Sequence, residues 1–274
     1  MGLALRHTGR YRVFGTDRNP EHLRKALDRG LADAELRPED IAQMDGIILA
    51  VPADVLPGLA RRVLDQINPQ AWVFDTGSVK NPVIEAVQDH PRRGRFVAAH
   101  PIAGTEYSGP EAAFAGLFNG KINILCNPGD SDADALDAVT SLFEHDLGMD
   151  VYHLDAALHD VHIAYVSHLS HVSAFMLGKT VLDVEHDQHN IFLMAGSGFA
   201  STVRLAKSSP DTWTPVLLQN RRALLPVLKT YGQNLKLFID LLEKEDAAGL
   251  HRLLGDINRI GQIIDRITRK HGKQ

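Results

Sequence analysis

Short apolar runs alternate with amphipathic stretches over the first half of the chain. The apolar runs fall at 11–17, 45–52, 71–77, 95–100 and 121–126. Stretches with helical periodicity separate them, at 20–30, 54–67, 81–90 and 132–148. This alternation predicts an α/β fold with a doubly wound parallel sheet. The uninterrupted apolar run IILAV at 47–51 is typical of a strand whose two faces are both covered by helices.

The pattern changes near residue 150. Helical stretches fill the rest of the chain, at 155–182, 186–206, 211–243 and 246–270. The first of them is apolar on all sides, which predicts burial, and Pro226 is expected to kink or break the third. We therefore predict two domains, 1–150 with the sheet and 151–274 with an all-α fold that also forms a dimer interface.

Charge and composition narrow the function classes. The 274 residues carry a net charge of −5, which gives no indication of nucleic-acid or anionic-membrane binding. The sequence has no run of about 18 apolar residues, so no membrane span is expected. Cys126 is the single cysteine, which excludes an internal disulfide and suits a reducing, cytoplasmic setting.

Ligands of doubly wound sheets bind beyond the carboxyl ends of the strands. Here those ends carry Asp17, Pro52, Ser78 and His100. An acid such as Asp17 favours NAD, because it accepts a hydrogen bond from the ribose 2′-hydroxyl and repels a 2′-phosphate. Arg18 follows and can accept that phosphate, so NADP stays open, and Asp17 can instead be a turn acid. His100 is expected on the ligand-facing rim, with a local hydrogen bond at the strand end as the alternative.

A Rossmann-type sheet normally opens with a strand and a glycine-rich turn that places pyrophosphate at a helix N-terminus. This sequence begins with MGLALRHTG, which is typical of the end of the helix that follows such a turn. The first strand and the glycine loop are therefore expected to be missing. We expect an upstream piece of roughly 10–20 residues to be absent from the sequence.

Four of the 14 histidines fall in the apolar helix predicted at 155–182. At about 100° per residue, His159 and His162 share one side, whereas His168 and His171 share the opposite side. One helix then cannot direct all four to one ion, and no H-E-x-x-H pattern is present, so no metal site is expected. The alternative for each is a buried or interface histidine with satisfied hydrogen bonds.

Two cations follow in 196-GSGFASTVRLAKSSPDTW-213, where Arg204 and Lys207 share one helical segment. Arg204 is flanked by small and apolar residues, and a guanidinium in such a setting needs an anionic partner. A substrate carboxylate, held by two guanidinium nitrogens, is one such partner. An internal pair with Asp211 is the alternative, and Trp213 is expected in the core.

Eight short stretches between residues 16 and 220 follow one another in the same order as the motifs of a known family. They are 16-TDRN-19, 49-LAVP-52, 75-DTGSVK-80, 100-HPIAGTEYSG-109, 159-HD-160, 167-SHLSH-171, 198-GFASTVRLAKSSPDTW-213 and Asn220. Together they resemble the prephenate dehydrogenase family, which includes arogenate dehydrogenases, and HPIAGTEYSG is the most specific of them. The resemblance implies oxidative decarboxylation of prephenate to 4-hydroxyphenylpyruvate, with hydride transfer to NAD, in tyrosine biosynthesis. It also implies a homodimer that forms through the helical domain.

The resemblance implies roles for particular residues. His100 resembles the base that takes the proton of the substrate's ring hydroxyl, since a neutral imidazole can accept a proton near neutral pH. Ser78 would hydrogen-bond to that hydroxyl or to His100, and Arg204 would bind a substrate carboxylate. The other positions implied at the substrate are His168 or His171, Thr105 and Glu106, and those at the cofactor are Asp17, Arg18, Val51 and Pro52.

The chain departs from the family at several positions, and three alternatives stay open. Ser170 stands where the family usually has proline, and 201-STV-203 replaces Asp-Thr-Thr. The alternatives are an arogenate dehydrogenase that uses NADP, a β-hydroxyacid dehydrogenase with its catalytic lysine in 196–207, and a non-catalytic helical dimer with a defective nucleotide domain. The missing glycine turn favours the last, whereas HPIAGTEYSG has no place in the second.

Overall fold

The computed structural model of the chain describes residues 1–104, 109–185 and 191–271. The chain forms two compact units, Met1–Arg221 and Arg222–Gln274. The first unit contains the sheets and the helices that cover them, and the second is helical wherever it is described. The domain division near residue 150 stays a prediction.

Seven strands are present in the described part of the first unit. They are β1 (Phe14–Gly15), β2 (Ala34–Glu35), β3 (Gly46–Leu49), β4 (Trp72–Asp75), β5 (Phe96–Pro101), β6 (Ile122–Cys126) and β7 (Asp150–Leu154). β3 to β7 form one sheet in chain order, and β1 and β2 form a second. Neighbouring strands are parallel, except that β6 runs antiparallel to β5. The predicted parallel α/β sheet is confirmed, with this one reversal.

Helices connect the strands and cover the larger sheet. In the first unit they are α1 (Gly2–His7), α2 (Pro20–Asp28), α3 (Leu56–Gln66), α4 (Asn81–Val87), α5 (Ala133–Ser141), α6 (Ala156–Ile163), α7 (Leu169–Glu185), α8 (Ser197–Val203) and α9 (Pro210–Gln219). Local chemistry sets where two of them begin. Asn19 accepts a hydrogen bond from Glu21 N ahead of α2, and Asp155 accepts one from Leu158 N ahead of α6.

The two faces of the larger sheet have separate cores because successive strand residues point to opposite sides. Val73 and Ala98 pack with the buried residues of α3 and α4. Phe74 and Ala99, their neighbours along the chain, pack on the other face with α5 and with Leu5 of α1. Helices on both faces make the sheet doubly wound, and its strand ends form a shared rim.

β1 and β2 stand apart from the larger sheet because no described residue supplies a strand between β1 and β3. In the order 3-2-1-4-5-6, that central position belongs to the first strand of a dinucleotide-binding sheet.

One helical run extends from Ala156 to Glu185, because a π-helical turn at Ala164–His168 joins α6 to α7. The extra residue in a π turn rotates the following helix by roughly one residue's step, about 100°. The run matches the long helix predicted from the sequence. Its apolar residues are not all buried within this chain, since Val166 is 73% exposed and Met176 is 52% exposed.

The second unit continues α10 (Arg221–Glu243) and adds α11 (Ala247–Ile257) and α12 (Arg259–His271). The helix predicted at 211–243 breaks at Asn220 and not at Pro226, which lies inside α10. The backbone N–H of Asn220 donates to carbonyl oxygens at the end of α9, while its side-chain amide donates to the carbonyl oxygen of Asp160. In the described ranges, every helix is too short or too polar to cross a membrane.

Candidate active site

A buried ion pair lies behind the rim formed by β4 and β5. The side chains of Asp75, at the end of β4, and Lys80, after the following turn, are fully buried and paired with each other. Lys80 Nζ also donates to the carbonyl oxygen of Ala99 at 2.6 Å, and Asp75 accepts from Ala99 N at 3.1 Å. The pair therefore ties the turn that carries Ser78 to the strand that carries His100.

His100 lies near the carboxyl end of β5 and is only 8% exposed. Its Nδ1 lies 2.9 Å from Nε2 of His159 on α6, and the two rings meet edge to face. Burial lowers the pKa of His100 well below its usual range, and interactions with His159, Lys80 and His168 lower it further. The imidazole is therefore neutral near neutral pH, which is the state that a general base needs.

His159 contacts a carboxylate on its other side. Its Nδ1 lies 2.9 Å from Oδ1 of Asp160, and both side chains are buried. The carboxylate of Asp160 also accepts from the backbone N–H groups of Lys80, at 2.8 Å, and Asn81, at 2.9 Å. The imidazole of His159 thus connects His100 to the buried carboxylate of Asp160.

His168 ends the π turn and is fully buried. Nδ2 of Asn220 lies 3.0 Å from Nδ1 of His168 and 2.8 Å from the carbonyl oxygen of Asp160. Because the amide N–H donates, Nδ1 of His168 accepts and Nε2 carries the proton. That Nε2 has no hydrogen-bond partner in the described part of the chain. Burial lowers the pKa of His168 to about 4, so the ring is a neutral donor.

His171 lies one turn further along and is half-buried. Its ring stacks on Trp213, with centroids 3.4 Å apart, and its Nδ1 donates to the Ser167 carbonyl oxygen at 2.9 Å. Burial lowers the pKa of His171, and the positive charge of Arg204 adds to that effect. Arg204 is exposed, opens the 3₁₀ turn Arg204–Lys207, and lies close enough to His171 to interact with it electrostatically.

The expectation that His159 and His168 lie on opposite sides of one helix is wrong. It assumed uniform steps of about 100°, whereas the π turn at Ala164–His168 adds the rotation of one residue between the two. As a result both imidazoles lie near Asp160: His159 hydrogen-bonds to its carboxylate, and His168 is linked to its carbonyl oxygen through the amide of Asn220.

The acid predicted to contact a ribose, Asp17, follows the end of β1. Asp17 is exposed, its Oδ1 accepts from Asn19 N at 2.8 Å, and its Oδ2 lies 3.8 Å from Nδ1 of His22. An exposed carboxylate with an oxygen still available at this strand end fits the hydroxyls of a bound ribose. Arg18, beside it, is exposed as well.

The other predicted cofactor and substrate positions lie in turns along the rim. Val51 and Pro52 lie between β3 and α3, and Ser78 lies half-buried between β4 and α4. Within the described ranges, the hydroxyl of Ser78 makes no hydrogen bond. Thr105 and Glu106 lie outside the described residues.

Five residues of this cluster were given no catalytic or substrate-binding role in the sequence interpretation. They are Lys80, His159, Asp160, Asn220 and Trp213. All five fall within the stretches that carry the family resemblance, which was the signal available. Trp213 was expected in the core, but it is half-buried and stacks on His171.

A doubly wound sheet with a neutral, buried histidine at its rim is an arrangement that suits a nucleotide-dependent oxidoreductase. Two family models match the chain. The one described as "Prephenate dehydrogenase, nucleotide-binding domain" matches residues 1–152, and the one described as "Prephenate dehydrogenase, dimerization domain" matches residues 155–256. The chain therefore belongs to the prephenate dehydrogenase family.

Individual relatives agree with these matches. The cyclohexadienyl dehydrogenase of Zymomonas mobilis is 32% identical over 81% of this chain and 76% of the relative, and the prephenate dehydrogenase of Bacillus subtilis is 28% identical over 92% and 68%. Among solved structures, prephenate dehydrogenase from A. aeolicus in complex with hydroxyphenyl propionate and NAD⁺ has a TM-score of 0.87 at 30% identity, covering 96% of this chain and 93% of that one. Arogenate dehydrogenase from Synechocystis has a TM-score of 0.75 at 28% identity, covering 96% and 94%.

Proposed function

We propose that the chain catalyses the oxidative decarboxylation of prephenate to 4-hydroxyphenylpyruvate, with hydride transfer to NAD, as a step of tyrosine biosynthesis. The observation that carries the proposal is the neutral, buried imidazole of His100 at the end of β5. His168 interacts electrostatically with His100, and His171, one helical turn further along, interacts in turn with His168 and with Arg204. Membership of the prephenate dehydrogenase family supports the same reaction.

His100 acts as the base in this reaction. Its Nε2 accepts the proton of the substrate's ring hydroxyl as hydride leaves the carbon that bears this hydroxyl. NAD, when bound, supplies the acceptor for that hydride. The bond to the ring carboxylate then breaks, CO₂ leaves, and the electron pair of the bond makes the ring aromatic. The proton on His100 returns to the phenolate oxygen, so no net proton is released.

The remaining polar groups bind and orient the substrate. Arg204 binds a carboxylate of the substrate, because a guanidinium offers two parallel N–H donors. His168 offers as a further donor its Nε2–H, which has no hydrogen-bond partner among the described residues, and His171 is held against Trp213 one helical turn away. Ser78 hydrogen-bonds to the ring hydroxyl. Thr105 and Glu106 are further residues proposed to contact the substrate, and Asp17, Arg18, Val51 and Pro52 are proposed to contact the cofactor.

Arogenate is a second candidate substrate. The similarity to Synechocystis arogenate dehydrogenase and to a cyclohexadienyl dehydrogenase supports it. The ring that reacts is the same in both compounds, so His100 would serve either one. Comparing kcat/KM for prephenate and arogenate, with NAD and then with NADP, distinguishes the two functions.

We also infer that the chain works as a cytoplasmic homodimer that forms through its helical half. The family model that matches residues 155–256 describes a dimerization domain. Large apolar side chains are exposed in this region, which favours a partner surface. They include Val166 at 73%, Leu193 at 83% and Met194 at 90% exposure. Sedimentation equilibrium tests the dimer, and a monomer at micromolar concentration would contradict it.

The proposed reaction is tested by following NADH absorbance with prephenate. His100→Asn is expected to lower kcat by about 10²-fold or more, because the base is lost. Arg204→Lys is expected to raise the KM for prephenate more than it lowers kcat, because a point charge replaces a planar fork. A His100→Asn variant with near-normal kcat would refute the mechanism, and an unchanged KM would remove Arg204 from the site.

A further inference from the structure

Three buried side chains form a hydrogen-bonded chain in which only the first has a proposed role. Nδ1 of His100 lies 2.9 Å from Nε2 of His159, and Nδ1 of His159 lies 2.9 Å from Oδ1 of Asp160. Their residues are 8%, 3% and 2% exposed. We propose that His159 and Asp160 are positioning residues, which fix the nitrogen of His100 that acts as the base and stabilise the positive charge that His100 acquires. The inference rests on the proposed function, since it requires His100 to take a proton from the substrate.

The donors around Asp160 fix the direction of these hydrogen bonds. Its carboxylate accepts from the backbone N–H groups of Lys80 and Asn81, at 2.8 and 2.9 Å, and an ionised carboxylate can only accept. Nδ1 of His159 must therefore donate to Asp160, which leaves Nε2 of a neutral His159 as an acceptor. Nδ1 of His100 donates to this acceptor. Nε2 of His100 is left with the lone pair that a base needs.

The same contacts compensate charge. The setting of His100 disfavours a cation, because it is buried and the ammonium of Lys80 is near. When Nε2 of His100 accepts the hydroxyl proton, the Asp160 carboxylate lies one ring away. His159 shares the proton between the two imidazoles, so the charge spreads toward that carboxylate. The titratable groups that face His100 or its partner are Lys80 and Asp75 behind β5, His168 from the π turn, and His159 and Asp160 from α6.

Asp160 also has a structural task, which a test must separate from the positioning role. Its side chain joins the start of α4 to α6, and its carbonyl oxygen accepts from Asn220. A structural role alone predicts variants that are less stable but keep the wild-type dependence of kcat/KM on pH. The positioning role predicts a changed pH profile in the folded variant.

Two substitutions of His159 measure the need for an acceptor. His159→Leu leaves Nδ1 of His100 without its partner and is expected to lower kcat by about 10²-fold or more, with the KM for prephenate changed less than about threefold. His159→Gln restores an acceptor oxygen but cannot share the charge. It is expected to recover about tenfold of the lost kcat and to stay below the wild type.

One substitution of Asp160 measures the charge. Asp160→Asn keeps an oxygen that can accept from His159 but removes the negative charge. The imidazolium of His100 is then less stable, so the acidic limb of the kcat/KM profile is expected to move to lower pH, by about one unit. The plateau of kcat is expected to fall by about tenfold, since a weaker base takes the proton less readily.

His162→Gln is the matched control, because His162 is an exposed histidine on the same helix. It should leave kcat and the pH profile unchanged, and thermal melting of each variant reports folding. Should Asp160→Asn fail to fold, the comparison of His159→Gln with His159→Leu carries the test. Variants with wild-type kcat and pH profile but lower melting temperatures would overturn the positioning role. A wild-type chain that reduces NAD with neither prephenate nor arogenate would instead overturn the proposed function, and this inference with it.

Discussion

Replacing Lys80 with methionine should destabilise the first unit strongly, because the Lys80 side chain is fully buried and paired with a buried carboxylate. The ammonium of Lys80 pairs with Asp75 and donates to the Ala99 carbonyl oxygen at 2.6 Å, and both charged side chains are fully buried. Removal of one partner from a buried ion pair leaves an uncompensated charge and costs about 3–5 kcal/mol. We expect a loss of this size in the free energy of unfolding at pH 8.

The loss should depend on pH in a definite direction. Burial already raises the pKa of Asp75, and the charge of Lys80 is the largest opposing influence. Without Lys80 the pKa of Asp75 in the folded chain must rise further above its value in the unfolded chain. A carboxyl of this kind stabilises the folded state when protonated, and this contribution disappears as pH rises through the folded-state pKa. The Lys80→Met variant should therefore be less destabilised at pH 5 than at pH 8.

Urea unfolding followed by circular dichroism measures these differences at both pH values. Lys121→Met, at an exposed lysine, is the matched control and should change stability by no more than about 0.5 kcal/mol. The double variant Asp75→Asn with Lys80→Met removes both charges, so most of the loss should be recovered. The reasoning is refuted if the double variant loses the sum of the two single losses, or if Lys80→Met behaves like the control.

Three further predictions concern other parts of the site. Asn220→Ala leaves the Asp160 carbonyl oxygen and Nδ1 of His168 without their donor, so the free energy of unfolding should fall by about 1–3 kcal/mol, and a smaller change in urea unfolding would contradict the observed bonds. Burial lowers the pKa of His168 to about 4, so the unfolded chain binds more protons than the folded chain between about pH 6.5 and 4. The free energy of unfolding should therefore fall by up to about 3 kcal/mol from this group as the pH is lowered through that window. His168→Asn should make the fall smaller. Asp17→Asn should raise the ratio of kcat/KM with NADP to that with NAD, because the repulsion of a 2′-phosphate is removed; an unchanged ratio would place the ribose elsewhere.

The sheet was predictable where a strand lies within an apolar run of the sequence. β3 lies inside a continuous apolar run, and β5 is almost wholly buried, so both were found from the sequence. β2 has two residues and β7 is mostly half-buried or exposed, so neither produces an apolar run. The reversal of β6 depends on its pairing with β5, which periodicity does not encode. Periodicity therefore predicts burial, and pairing direction needs the tertiary structure.

The helix break at Asn220 shows the same limit. Proline chemistry favoured a break at Pro226, yet Pro226 lies within α10. The side chain of Asn220 donates to the Asp160 carbonyl oxygen and to His168, contacts that depend on residues 52 or more positions away in the sequence. Tertiary hydrogen bonds thus outweigh the local preference that the sequence makes visible.

Position along the chain was enough to indicate His100 as a candidate base, because a strand end at the rim is a local feature. Its partner His159 is 59 residues away, and the link exists only because α6 packs its polar side against β5. The π turn then brings His168 to that same side, where uniform helical steps would have turned it away. A buried histidine is an effective base only when its other ring nitrogen donates a hydrogen bond, because this fixes the tautomer. In this chain the sheet carries the base, and helix α6 carries the acceptor of that hydrogen bond. The proposed chemistry therefore depends on how the helical run that begins with α6 packs against the sheet. No single stretch of sequence contains both His100 and the residues that position it, so these contacts could not be predicted from local patterns.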